Sequence, residues 1–160
     1  MRALVNSEQG LTLVEVIIAA AIITVGLAGV SAALQVAAHG VQEGRQLSTA
    51  TFLANERLEQ VRTTRWEAGP PAIDALGISP TSSAAPTTFP DEAARDGSYV
   101  AYARTVRIVD CGVGAGCAGV VAADLRQVIV TVSYRPMTGV GLAASGITKA
   151  AAVTIYVTQR

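Results

Sequence analysis

Residues 10–38 read GLTLVEVIIAAAIITVGLAGVSAALQVAA, and the organisation of the chain follows from them. From Val16 to Ala38, 23 residues, no side chain carries a charge. The hydrocarbon core of a bilayer takes about 20 residues of α-helix. The run therefore predicts a membrane-spanning helix, because the buried helix of a soluble core is rarely uncharged for so long. Gly26 and Gly29 lower the helix propensity of the run, but glycine is tolerated in membrane spans.

The preceding stretch, MRALVNSEQG, is short, polar and closed by glycine. A secretory signal has a basic start, an apolar middle and a small-residue cleavage site after that middle. Here the glycine comes before the apolar run. A cut after Gly10 removes a polar leader, residues 1–10, and keeps the helix. A cut near Ala37-Ala38 instead releases the remainder of the chain and leaves Glu15 without a role.

Glu15 is the one acid inside the apolar stretch. A carboxylate at the centre of a span costs about 2.5–3.5 kcal/mol, less near its end, and such groups usually have a partner. Cleavage after Gly10 would create an α-ammonium on Leu11, four residues before Glu15 on the same helix face. The two charges can pair within one chain, or between chains whose helices stack with a stagger. A plainer role stands beside this one. Thr12-Leu13-Val14-Glu15 fits a capping box, with Thr12 as N-cap and Glu15 three residues on, and a carboxylate there suits the helix dipole.

Taken together, SEQ-G-LTLVE-VIIAAAIITVGLAGV resembles the cleavage and methylation motif of type IV prepilins and pseudopilins. The resemblance implies that a prepilin peptidase cuts between Gly10 and Leu11 and methylates the new N-terminus at Leu11. It implies that Glu15 serves filament assembly, docking the subunit to other pilin or pseudopilin subunits through the N-terminal helix. It also implies a single pass of the bacterial inner membrane before assembly, with the C-terminal domain exported, and a pilus or periplasmic filament afterwards. The chain departs from the family at Leu11, where Phe is commoner. It has Arg2 as its only basic leader residue and lacks the helix-breaking Pro that many relatives carry near the position of Ala32.

Residues 11–38 are thus read as the transmembrane and filament-core helix, and 39–66 as its amphipathic continuation. Leu47, Ala50, Ala54, Leu58 and Val61 recur at spacings of three and four, with Glu43, Arg45, Glu56, Arg57, Glu59 and Arg62 between them. Gly69-Pro70-Pro71 stops the pattern after Trp66. The segment TATFLANERLEQVRTTRW also resembles the same region of minor pilins of the pilus-modification group and of one minor pseudopilin family.

Residues 67–97 are rich in Pro, Ala, Ser and Thr and read as a long αβ-loop. Residues 98–160 hold three strand-like runs, Ser98 to Val109, Leu125 to Arg135 and Ile147 to Thr158. The last two alternate with period two, with Val128, Val130, Val132 and Tyr134 on one face, then Ala151, Val153, Ile155 and Val157. The expected fold is α+β and pilin-like, a long N-terminal membrane-spanning helix packed against a small antiparallel sheet of about three to four strands. Cys111 and Cys117 lie in a Gly-rich loop after the first strand. On the oxidising side of a membrane they are expected to form a disulfide; two free thiols or a partial metal site are the competing states.

The remaining chemistry is sparse. Lys plus Arg number 12 and Asp plus Glu 12, so the formal charge is zero, which argues against nucleic acid as the main partner. The sequence has no nucleophilic triad, no phosphate-cradling loop and no paired-carboxylate site. Two cysteines and His39 make too poor a set for zinc, and Asp110 with Asp124 too few ligands for calcium. Arg104, Arg107, Arg126 and Arg135 read as a solvated strip on the sheet. The expectation is a non-enzymatic subunit without cofactor. A minor type IV pilin, serving adhesion, motility or DNA uptake, is the leading function. A minor pseudopilin of a type II secretion system is the alternative, and a binding domain on an uncut anchor a third.

Overall fold

The computed structural model describes residues 12–93, 99–136 and 148–160. The chain divides into two compact units, Met1–Val41 and Gln42–Arg160. One helix, α1 (Leu13–Thr63), contributes to both and continues without a break through Gly26, Gly29, Gly40 and Gly44. Five strands follow: β1 (Trp66–Glu67), β2 (Ile73–Asp74), β3 (Tyr102–Asp110), β4 (Leu125–Tyr134) and β5 (Lys149–Thr158). The expected α+β class, a long apolar N-terminal helix followed by antiparallel sheet, is the one observed. Strands β1 and β2 form a small hairpin, and β3-β4-β5 form an antiparallel meander.

In the second unit, α1 buries Ala50, Leu53, Ala54, Leu58 and Val61. This differs from the expected face in one position. Leu47 is 48% exposed, and Leu53 takes part in the core instead. The facing side of the sheet supplies Val106 and Ile108 from β3 and Val128, Val130, Val132 and Tyr134 from β4. Burying a side chain such as Val or Leu contributes about 1.5–3 kcal/mol, so these two strands and the short helix stripe hold most of the core energy. Ala151 of β5 joins them, while Val153, Ile155 and Val157 are only partly covered.

Helix α1 closes at Thr63, three residues before Trp66. The Thr63 and Thr64 hydroxyls both donate to the Gln60 carbonyl, at 2.9 and 2.8 Å, and the Thr64 N–H donates to the Val61 carbonyl. These bonds occupy carbonyls that a helix end leaves open. Trp66 then enters β1, where its carbonyl accepts from the Arg160 N–H at 3.0 Å and its side chain is buried. Strand β3 begins at Tyr102; Tyr99 precedes it, its ring edge-on to that of Tyr102. Gly10, Leu11, Ser98 and Ile147 lie outside the described residues.

The stretch read as a long loop has internal order. Leu76, Pro86 and Phe89 are buried in it. Pairing of β1 with β2 sets Trp66 opposite Asp74 and Glu67 opposite Ile73. Pattern alone missed this because strands of two residues carry no periodicity.

After β3 the chain turns through a closed loop. Cys111 and Cys117 are joined by a disulfide, six positions apart, and both sulfurs are buried. Cys117 and Val120 exchange backbone hydrogen bonds at 2.9 Å across Ala118 and Gly119. Both of those residues have positive φ, 50° and 85°, as a type I′ turn requires. Gly116, at φ 71°, has no room for a side chain, since a Cβ there would stand 2.0 Å from the Val120 carbonyl oxygen. Closing so short a loop stabilises the fold by about 2–3 kcal/mol in the chain-entropy account. Reduction of the full chain in detergent micelles should lower its unfolding free energy by an amount of that order, read as a fall in the urea midpoint; an unchanged midpoint would show that the loop holds itself without the bridge.

Candidate functional site

The helix start is built by Thr12. Its Oγ1 accepts a hydrogen bond from the Glu15 N–H at 3.3 Å, and its carbonyl accepts from the Val16 N–H at 3.2 Å. Thr12 is therefore the N-cap and Glu15 the third helical residue. That is the Thr12 half of the capping box, and it uses the Glu15 backbone. The Glu15 residue is itself exposed, in the first turn, where the dipole favours its charge.

Beyond Glu15 every residue from Val16 to Ala38 is exposed, including Ile17, Ile18, Ile22, Ile23, Leu27 and Leu34. The most apolar window of this helix has a mean hydropathy of 2.5, and none of it is buried by the chain. An apolar helix left uncovered all round has to be covered by something else. Length and composition suit a bilayer. His39, at the end of this stretch, is a half-buried helical residue.

A second cluster lies in the folded unit, and here the expected solvated arginine strip is corrected. Arg104 and Arg126 are buried on the core face, Arg107 projects from the opposite face of β3, and Arg135 lies exposed beyond β4. Burial is possible because each of the first three arginines meets a carboxylate of the stretch between helix and sheet. Arg104 donates to Glu92 from Nε at 3.1 Å and Nη2 at 2.9 Å, and to the Leu53 carbonyl of α1 from Nη1 at 3.1 Å. Arg57 of α1 also pairs with Glu92 and lies over the Phe89 ring, 5.6 Å from its centroid. Arg107 makes a forked pair with Asp91 at 2.7 and 2.9 Å. Arg126 makes another with Asp74 at 2.6 and 2.8 Å and sits 4.2 Å over the Trp66 ring.

These pairs strap the loop to the sheet. No spacing in the sequence linked the acids to the arginines, which lie 12 to 52 residues away. The one available signal was the position of Arg104 and Arg126 in phase with buried alternate residues of β3 and β4. Among the described residues, no three His, Cys, Asp or Glu side chains gather to hold a metal ion.

Residues 5–31 match the family model for the prokaryotic N-terminal methylation motif. This is the cleavage motif of type IV pilins and pseudopilins. The chain carries it. The methylation motif implies processing by prepilin peptidase and assembly with pilin subunits in general. It also fits the uncovered apolar helix, which is consistent with an inner-membrane anchored pilin. Comparison with curated proteins and with solved structures gives no match.

The strap has an electrostatic consequence. The Arg126 guanidinium, bonded to Asp74, holds that carboxyl below the usual range, and Arg107 does the same for Asp91. A carboxyl whose folded value is depressed contributes stability that is complete above its unfolded value, about 3.9, and is lost as pH falls through the folded value. The doubly substituted Asp74→Asn, Asp91→Asn chain should therefore unfold at lower urea than the parent at about pH 7. The two midpoints should converge as pH falls from the ordinary aspartate range through the lowered folded-state values. Equal midpoints at neutral pH would show that the straps add nothing.

Proposed function

We propose that this chain is a minor type IV pilin: a structural subunit, not an enzyme, that enters or initiates a pilus after removal of residues 1–10. The observation that carries this is the methylation motif at residues 5–31 joined to an apolar helix that its own chain leaves uncovered. In the membrane that helix is covered by lipid; in a filament it is covered by the helices of other subunits.

Glu15 fits this assembly role for a physical reason. Cleavage after Gly10 leaves Thr12, the N-cap, as the second residue of the mature chain. The new ammonium on Leu11 then stands at the positive end of the helix dipole, where a cation is disfavoured. A carboxylate within reach offsets that cost, either in the same chain or from a neighbour displaced along the helix. Glu15 has its N–H already engaged by Thr12, so the first turn is fixed without calling on the carboxylate.

Two outcomes test the proposal. Gly10→Val should leave the leader uncut, because a peptidase that reads a glycine at this position has no space for a branched side chain; mass spectrometry of the N-terminus of membrane material measures it. Mature Gly10→Val protein would remove the basis for cleavage at this bond. Glu15→Ala should be inserted and processed like the parent, yet be depleted about tenfold from sheared filaments. Incorporation of Glu15→Ala at the parental ratio to the other subunits would show that the carboxylate is a local cap only.

A further inference from the structure

The two edges of the three-stranded sheet are treated differently. On β3 the residues that direct backbone groups away from β4 are Tyr102, Arg104, Val106, Ile108 and Asp110. Each of the six groups of the central three is occupied. Arg104 exchanges N–H and carbonyl bonds with Glu92 at 2.8 and 2.9 Å. The Val106 N–H donates to Asp91 Oδ1, and its carbonyl accepts from Arg107 Nη1. The Ile108 N–H donates to Ser79 Oγ, and its carbonyl accepts from the Ser79 N–H, both at 2.9 Å. The strapped loop thus acts as an irregular fourth strand along β3.

Among the described residues the edge at β5 is open. The Gln159 N–H donates to Asp124 at 2.8 Å on the β4 side, while Arg160 bonds Trp66 and Ala68 on the other side. Alternation along the strand and the register of Val157 with Arg126 then fix the outward residues as Ala150, Ala152, Thr154, Tyr156 and Thr158. All five are exposed, and among the described residues none of their N–H or carbonyl groups has a partner off the β4 side. The strand is regular, with no proline, glycine or charge from Ala150 to Thr158. Natural proteins usually blunt such an edge with charge, proline, a bulge or a covering segment. The side chains behind the edge are also unfinished: Val153, Ile155 and Val157 are partly covered, whereas Val128, Val130 and Val132 beside them are fully buried.

We propose that the β5 edge receives an extended segment of another protein as an added strand. The edge selects an uncharged, β-branched sequence with an acidic residue where the strand passes Thr158. Backbone pairing along Ala150 to Thr158 would supply the affinity, and alternate side chains of the guest would complete the cover over Val153, Ile155 and Val157. The acidic residue follows from the charges at that end, where Arg62, Arg65 and Arg160 outnumber Glu59 and Glu67. Arg62 and Arg160, with Thr64, Trp66, Tyr156, Val157 and Thr158, line a hollow of about 230 Å³ beside the strand. Arg62 is already paired with Glu59, but on an exposed surface where such a pair is weakly held. A second copy of β5 is the poorer guest. Antiparallel pairing about Thr154, outward residue against outward residue, would set Lys149 of each copy, held only by its exposed pair with Glu43, against Gln159 of the other, beside Arg160, bringing like charges near each other at both ends.

The proposal does not depend on leader cleavage, and its test uses the full chain in detergent micelles. The probe is an end-blocked synthetic peptide of about nine residues, alternating Val and Thr with one terminal Asp, long enough to run from Ala150 to Thr158. Hydrogen exchange reads the site directly. Bound peptide should slow exchange at the amides of Ala150, Ala152, Thr154, Tyr156 and Thr158 by about tenfold or more, with little change at the alternate residues already bonded to β4. Thr154→Pro removes one outward donor and leaves the β4 ladder intact, as proline on an edge permits; Thr154→Lys blunts the edge without touching the backbone. Both should abolish the slowing while β3 and β4 amides keep their protection. The same peptide ending in Lys should bind about tenfold more weakly than the Asp form. Absence of slowing at the five amides in the parent chain would overturn the proposal, as would undiminished slowing in both Thr154 variants. Equal binding of the Asp and Lys peptides would overturn the acidic specificity.

Discussion

One buried guanidinium ties the folded unit together. Arg104 is 3% exposed, and its nitrogens reach the helix at the Leu53 carbonyl, the connecting loop at Glu92 and, at 3.6 Å, Glu56. A charge so placed is costly unless it is both paired and hydrogen-bonded. Here the pairing draws three distant pieces of chain, α1, the loop and β3, to one point. Arg57 shares Glu92 with it from the helix side, so the loop carboxylate lies between two cations anchored on different layers. Removing either layer would leave charge behind without its partner, which couples the docking of the loop to the docking of the sheet on the helix.

The need for such straps follows from the size of the core. The helix offers one narrow stripe, Ala50 to Val61, with two alanines in it. That stripe covers β3 and β4 but leaves the inner side of β5 partly uncovered. Leu76, Pro86 and Phe89 of the loop supply apolar surface that the helix lacks. A loop rich in proline and small residues has few other apolar groups to hold it, so directional bonds do so instead: Asp74 to Arg126, Asp91 to Arg107 and Glu92 to Arg104. The same loop also occupies the middle of the β3 edge, through the Glu92 and Ser79 backbones, the Ser79 hydroxyl and the Asp91 carboxylate. The charged and the apolar contacts of the loop are therefore parts of one arrangement.

What was legible in the sequence was whatever carries a period or an uninterrupted composition. The uncharged run from Val16 to Ala38, the alternation in β4 and β5, and the glycine-acid spacing around Leu11 needed no knowledge of the rest of the chain. The burial of Arg104 and Arg126 did not show, because an arginine on a strand is ordinarily a solvated residue and its partners lie in a segment without periodicity. Leu47 was misjudged for a related reason. Its spacing matches Ala50 and Ala54, but spacing states which face a residue occupies and not how far along the helix the sheet extends. Trp66 shows the same limit at the helix end, where hydrogen bonding of the two threonines to Gln60 decided the boundary before the Gly-Pro-Pro signal was reached.

The two halves of α1 obey opposite demands. From Val16 to Ala38 the helix can be stable in water only if its apolar surface is removed from it, by lipid or by other helices. From Ala50 to Val61 the same helix is covered by its own chain. The folded unit must therefore hold its structure by contacts within residues 42–160, whatever environment surrounds the first unit. Its fixed points serve that independence: a disulfide across the β3–β4 connection, three guanidinium straps on the loop, and the Lys149 to Glu43 pair between β5 and the helix. None of these requires a membrane or a neighbour. The passage from lipid into a filament proposed above would change the surroundings of the first unit completely, and this distribution of contacts would let it happen without refolding the second.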